Sequence, residues 1–251
     1  MYFGEYPQTL KAKEVTVSDV CDEKGYYLGS DGFRYAKVIA SPHESGFRFS
    51  NGEPIIAGNT YWFKVEPISW TVLEKKNGRA LILCNSVIAS RRFAEESNNY
   101  AESEIRAWLN GEFLNAAFTE REQERILCER VENGVKTTGY TKNEYACEDT
   151  FDKVFLMSHS EITNAKYGFP ARHSESKSRT RLTSDYSRAT GAYMSTEGSY
   201  YGNGYWWLRS PGDAGSFARV RVVFPSGVSD YSYYYPNGDY GSVVPALRVV
   251  I

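Results

Sequence analysis

The chain has 251 residues, 41% hydrophobic and 24% charged, with a formal net charge of -2 and a mean hydropathy of -0.50. A chain of this length and composition buries a large core without disulfide or metal staples, and it predicts one unit spanning residues 1–251. No apolar run approaches the roughly 20 residues of a membrane helix, and opposite charges are interspersed, so neither membrane insertion nor a nucleic-acid partner is expected.

The opening segment MYFGEYPQTL has no basic stretch ahead of an apolar core. It reads as cytoplasmic, with display on a surface or a phage through a partner left open. Residues 21–60, rich in Gly, Ser and Tyr, predict short strands and loops. Alternating apolar positions on both sides of Asn77-Gly78, with Trp70 and Val72 before and Leu81 and Leu83 after, predict a β-hairpin with a type I′ turn. Ile105, Trp108, Leu109, Phe113 and Phe118 recur near a helical period, with a weak point at Gly111. Thr119 and Glu122 form a capping-box pair that starts a second helix, running to about Glu129. Residues 132–150 read as a surface loop, 154–157 as a short buried strand, and Ser160 as the cap of a brief helix over Glu161 to Ala165. A further short helix is predicted from Asp185 to Thr190, after a basic loop. Beyond Tyr201 the pattern is strand and turn, with hairpin turns predicted at Pro225-Ser226-Gly227 and Pro236-Asn237-Gly238. The fold class is α+β, ending in a strand-rich piece.

Catalytic and metal signatures are missing from this pattern. Cys21, Cys84, Cys128 and Cys147 make no zinc spacing and are expected as buried free thiols; His43, His159 and His173 make no ligand spacing either. No metal and no cofactor is therefore expected. Ser158-His159-Ser160 lies in no nucleophile elbow, and Gly202-Asn203-Gly204 lacks the rest of a dinucleotide fingerprint.

The informative signal is a restricted alphabet. Eight of the 20 tyrosines fall between Tyr200 and Tyr240, and residues 210–251 contain no Lys, Glu, Gln, Met or Trp. These five types number 44 in the chain, so even scattering would place about seven among those 42 residues, more than unequal strand preferences remove. The same window is rich in Tyr, Ser, Gly, Asn and Asp, the vocabulary of a paratope, in which tyrosine supplies amphipathic area at low entropy cost.

GEYPQT near the start, IRAWLNGEFLNAAFT at 105–119, DKVFLMSHSEIT at 152–163, GNGYWWLRSPG at 202–212 and VVPAL at 243–247 together resemble the DUF6273 family. That resemblance implies a C-type lectin-like fold of the formylglycine-generating-enzyme type, with an elaborated N-terminal part and a C-terminal ligand-binding face. Some such proteins, bacterial or phage, are variable proteins of diversity-generating retroelements, where template adenines are miscopied. Randomised AAY codons cannot encode Lys, Glu, Gln, Met or Trp, the types absent after Arg209.

The resemblance thus implies a non-catalytic binder with residues 210–251 as its variable region. The ligand contacts expected are Asp213, Ser216, Phe217, Arg219, Arg221, Ser229, Asp230, Tyr231, Tyr233, Tyr234, Tyr235, Asn237, Asp239 and Tyr240. Trp206, Trp207, Leu208, Arg209, Pro211, Ala246 and Leu247 would be scaffold, with Arg209 tying segments together. The partner would be a protein or a cell-surface ligand of unknown identity, and the oligomeric state stays open. Two alternatives remain: a relative of formylglycine-generating enzymes, although that chemistry uses late cysteines and none follows Cys147, and a structural or phage-associated interaction domain.

Overall fold

The computed structural model describes residues 1–171, 173–212, 219–238 and 241–251, with the backbone alone at 230–233. The first third of the chain forms strands β1 (Tyr2–Leu10), β2 (Val17–Cys21), β3 (Tyr27–Gly29), β4 (Arg34–Ile39), β5 (Thr60–Lys76) and β6 (Arg79–Cys84). β5 is the spine, since its first half pairs with β1 and β4 and its second half with β6. Its buried set shifts by one residue midway, from Phe63 and Val65 to Ile68 and Trp70. Pro67, which has no N–H for the ladder, sits at that shift. At the tip Asn77 (φ 51°) and Gly78 (φ 70°) both take the left-handed conformation, and Lys76 pairs with Arg79. The type I′ hairpin read from the sequence is therefore present.

Short strands β7 (Ser86–Val87) and β8 (Ala89–Ser90) lead into the helices. Helix α1 (Glu104–Trp108), a π-helical turn over Leu109–Phe113 and α2 (Leu114–Ala117) run on continuously, so the weak point at Gly111 is a change of helical pitch. Thr119 and Glu122 close the reciprocal capping box of α3 (Glu120–Arg125). That helix ends before Glu129 because Ile126 leaves it to bridge Val249 and bury its side chain. Glu129 then opens β9 (Glu129–Val131), paired with β10 (Thr150–Asp152). The intervening loop is not purely superficial: Asn133, Thr137, Thr138 and Asn143 are buried in it.

β11 (Val154–Phe155) is buried as expected and precedes α4 (His159–Ile162). Ser158, not Ser160, caps α4: its hydroxyl accepts from the Glu161 N–H at 3.2 Å, and the Glu161 carboxylate accepts from the Ser158 N–H at 2.7 Å. Spacing decides this, since only Ser158 has a glutamate three residues on. β12 (Leu182–Thr183) and α5 (Asp185–Ala189), capped by Ser184, follow. The chain closes with β13 (Trp206–Pro211), β14 (Val220–Val223), β15 (Ser229–Tyr234), β16 (Ser242–Val243) and β17 (Ala246–Val250).

The large sheet runs β11-β17-β6-β5-β4-β3-β2, with β1 also on β5; β13, β14 and β15 form a second, antiparallel sheet. The architecture is a mixed α/β one, mostly strand with a few short helices. One continuous apolar core joins Trp70, Leu81 and Leu83 to Phe113, Trp206, Trp207 and Leu247. Pro225-Ser226-Gly227 turns the β14–β15 hairpin, as predicted. Pro236-Asn237-Gly238 is a turn, closed by the Gly238 N–H on the Tyr235 carbonyl, but not a hairpin turn: the next strand, β16, pairs with β8. All four cysteines are free, and only Cys84 is buried; Cys21 and Cys128 are exposed and Cys147 is half-buried.

Candidate functional site

β13 is covered on both faces, which is why its two tryptophans stand side by side in an interior strand. Trp206, Trp207 and Leu208 are inaccessible to solvent, as are Ala246 and Leu247 in β17. The Trp206 indole N–H donates to the Arg179 carbonyl at 3.0 Å, and that of Trp207 to the Arg91 carbonyl at 2.9 Å. Each ring thus buries its apolar body and pins a loop with its polar edge. Buried Arg209 donates to the carbonyls of Glu132 (3.2 and 3.1 Å) and Leu156 (2.6 Å) and to the Glu161 carboxylate (2.5 Å). Burial pushes the Glu161 carboxyl up, but the Arg209 guanidinium and the Ser158 hydrogen bonds outweigh it and hold the group below its ordinary range. Arg209 therefore joins β13, the 132–150 loop and the entrance to α4, as the sequence suggests.

Beneath the β14–β15 hairpin lies a buried polar network. Arg221 places Nη1 3.3 Å from His159 Nδ1, and its guanidinium lies over the Tyr140 ring at 4.7 Å. An arginine only donates, so Nδ1 is the acceptor and the His159 proton sits on Nε2. The Ser229 hydroxyl reaches the same Nδ1 at 3.0 Å, and the His173 ring stacks on His159 at 4.8 Å. Burial, with Arg221 next in effect, pushes the His159 pKa down to about 3. This buried neutral imidazole beside a cationic neighbour serves as an acceptor for Arg221.

Placement of the expected contact residues is uneven. Arg221 and Ser229 are 1% and 0% exposed, so both belong to the interior beneath the face, which corrects their assignment as ligand contacts. β14 lies between β13 and β15, and all four of its residues are buried, Arg221 among them. Tyr234 is half-buried and packs its ring 5.1 Å from Tyr205 and 5.9 Å from Phe224. Tyr235 turns outward, 46% exposed, under the half-buried Arg219 guanidinium at 5.7 Å, and Asn237 is exposed beyond it. Arg219 and Tyr235 are thus brought together on the outside, and Asn237 is exposed in the adjoining turn. Asp230, Tyr231 and Tyr233 lie on β15, where only the backbone is described; Asp213, Ser216, Phe217, Asp239 and Tyr240 lie outside the described residues.

Two asparagines at the base of this face carried no signal in the sequence. The Gly212 N–H donates to the Arg219 carbonyl at 2.7 Å, bringing together the two residues that flank positions 213–218. Buried Asn98 donates to that same carbonyl at 3.0 Å, and buried Asn143 donates to the Gly212 carbonyl at 2.9 Å. A Cβ on Gly212 would meet Arg219 Cβ at 3.1 Å, so the close approach favours glycine. Each flank of the segment is therefore held by a side chain from a distant part of the chain.

Residues 77–250, more than half of the chain, match a family described as Domain of unknown function (DUF6273). The chain belongs to the DUF6273 family. The DUF6273 match begins in the β5–β6 turn, so it takes in the β13 frame, the asparagine pair and the hairpin, while β1 to β5 precede it. Neither the curated proteins nor the solved structures gave a match. Among the described residues no three metal-ligating side chains gather, and no helix is long and apolar enough to cross a membrane.

Sequence reasoning also missed the buried arginines Arg179, Arg181 and Arg188 of the DUF6273 region, which the pattern placed in or after a basic loop. Arg179 donates to the carbonyls of Gly227 (2.7 Å), Ile162 and Pro170 (both 3.2 Å) and Ser174, so it holds the tip of the β14–β15 hairpin against α4. Its partners are backbone carbonyls, which leave no mark in side-chain composition.

Proposed function

We propose that this chain is a non-catalytic ligand-binding protein with a C-type lectin-like fold, whose residues 210–251 form a binding face diversified by a retroelement. The observation that carries the reading is the alphabet of that segment, set on a frame that does not depend on its outward side chains. Trp206, Trp207 and Arg209 bond to distant loops, Arg221 and Ser229 bond inward, and Arg219, Tyr235 and Asn237 stand outside with no part in the core. Aromatic and arginine anchors among small polar residues suit a protein or cell-surface ligand.

Comparison of alleles from related strains tests the proposal. Differences are expected at Asp213, Ser216, Phe217, Arg219, Asp230, Tyr231, Tyr233, Tyr234, Tyr235, Asn237, Asp239 and Tyr240. WWLRSP, Arg221, Ser229 and PAL should stay constant. The DNA beyond the gene should hold a near-repeat of its 3′ end, with adenines at the varied positions, beside a reverse transcriptase. Differences spread evenly through the chain would refute diversification.

A further inference from the structure

Tyr205 is the centre of an aromatic strip that the C-terminal face shares with earlier parts of the chain. Its ring lies 5.1 Å from both Phe224 and Tyr234 and 4.8 Å from Tyr193. Tyr193 in turn meets the His43 ring edge-on at 5.7 Å. All five side chains are half-buried, so each rests on the core and keeps part of its surface outside. The strip therefore runs from an expected contact residue, Tyr234, to residues that precede position 210.

The earlier end of the strip is preorganised. The Ser195 N–H donates to the Asn203 carbonyl at 2.8 Å and the Gly202 N–H to the Ser195 carbonyl at 2.9 Å, which ties the chain after Tyr193 beside the chain before Tyr205. A Cβ at Gly204 would meet the Tyr193 carbonyl at 3.1 Å and Thr183 Cγ2 at 2.8 Å, so glycine lets the two segments close up. Asn203 Nδ2 donates to the Pro225 carbonyl at 2.9 Å and fixes the hairpin tip next to Phe224. The charge at this end is negative. Burial, then Tyr205, Glu44 and Glu197, push the Tyr193 hydroxyl pKa up. Glu44, 58% exposed, lies 4.0 Å from the His43 ring, and Glu197 is exposed. Among the described residues no lysine or arginine pairs with either carboxylate. Aromatic faces attract cations through the ring quadrupole, and carboxylates beside them add their charge without first giving up a partner.

We propose that the Tyr193–Tyr205 end of the strip receives a lysine or arginine from a segment of a partner protein, held over the rings and beside Glu44 and Glu197. This enlarges the ligand face read from residues 210–251, and its continuity through Tyr234 rests on that reading. A microarray of random peptides of about 12 residues, acetylated and amidated so that side chains alone carry charge, tests it when probed with labelled wild-type protein. The bound set should be enriched in Lys and Arg. Glu44→Gln with Glu197→Gln should weaken those signals at least about tenfold, the scale of a charge-assisted hydrogen bond. Tyr193→Leu, which loses the aromatic face, should weaken them about threefold. Glu23→Gln with Glu124→Gln, an equal change of charge at exposed positions on other elements, should leave them within about twofold. Absence of any peptide signal above blank spots would overturn the proposal, as would a bound set without Lys and Arg enrichment. So would signals that survive loss of both glutamates in a protein with wild-type circular dichroism. Allele comparison judges diversification by itself, since Glu44, Tyr193 and Glu197 lie outside 210–251, so the failure of either reading is told apart from that of the other.

Discussion

Replacing Arg209 by Met removes the guanidinium at the centre of the frame while keeping an apolar side chain of similar length. The Glu161 carboxylate then loses its cationic partner in a site where it is only 20% exposed, and the carbonyls of Glu132 and Leu156 lose their donors. Breaking a buried pair from one side costs about 3–5 kcal/mol. The pH dependence identifies the cause. In the wild type the Glu161 carboxyl lies below its ordinary 4.5, so its contribution is present above pH 4.5 and is lost as pH falls through the folded value. In Arg209→Met only the Ser158 hydrogen bonds still oppose burial, the carboxyl rises from its wild-type position, and ionised Glu161 is left without its cation near neutrality. The difference between the two proteins should therefore be largest at pH 7 and shrink to about 1–2 kcal/mol at pH 4, where only the carbonyls remain unpaired. Adding Glu161→Gln should recover part of the loss at pH 7 and almost nothing at pH 4. Urea unfolding, followed by tryptophan fluorescence and far-UV circular dichroism, measures each term. A loss under about 1 kcal/mol at pH 7, or an equal loss at both pH values, would refute this account of Arg209.

Three other outcomes are expected. Gly241→Ala should cost about 2–4 kcal/mol in urea unfolding, because the new methyl displaces the Trp207 ring from a packed core and from its hydrogen bond to Arg91. Asn98→Asp and Asn143→Asp keep side-chain shape but replace a donor with an oxygen facing a carbonyl. Each should speed hydrogen exchange at the Gly212 amide about tenfold or more while the β6 and β17 amides stay unchanged. His159 stays neutral in the folded chain down to about pH 3 but takes a proton near 6.5 once unfolded, so it contributes a loss of stability as pH falls below 6.5, up to about 1.4 kcal/mol per unit. His159→Gln should remove that part of the slope in unfolding measured between pH 6.5 and 4.5.

Local rules read from the sequence held where a few adjacent residues settle the geometry. Asn77-Gly78 and Thr119-Glu122 carry their own conformations, and both appear as read. They misled where a distant segment competes. Ile126 leaves α3 for Val249, more than a hundred residues on, and no local pattern announces that. Arg221 stands among the expected ligand contacts, but β14 is buried, and His159 and Tyr140 receive its charge. The same reason hides Asn98, Asn143 and Arg179, whose partners are main-chain carbonyls. Of the face itself, the alphabet was legible and the sorting of its members into outside and inside was not.

The bond between Gly212 and Arg219 gives positions 213–218 one point of entry and exit. A chain that leaves and returns through a single closed junction adds little strain when it grows, since doubling such a loop costs only about 0.6 kcal/mol of closure entropy. Length is thus free to change there at little cost. Family members that keep the glycine and both asparagines are expected to differ in this span by insertion as readily as by substitution, so their faces would vary in reach as well as in chemistry.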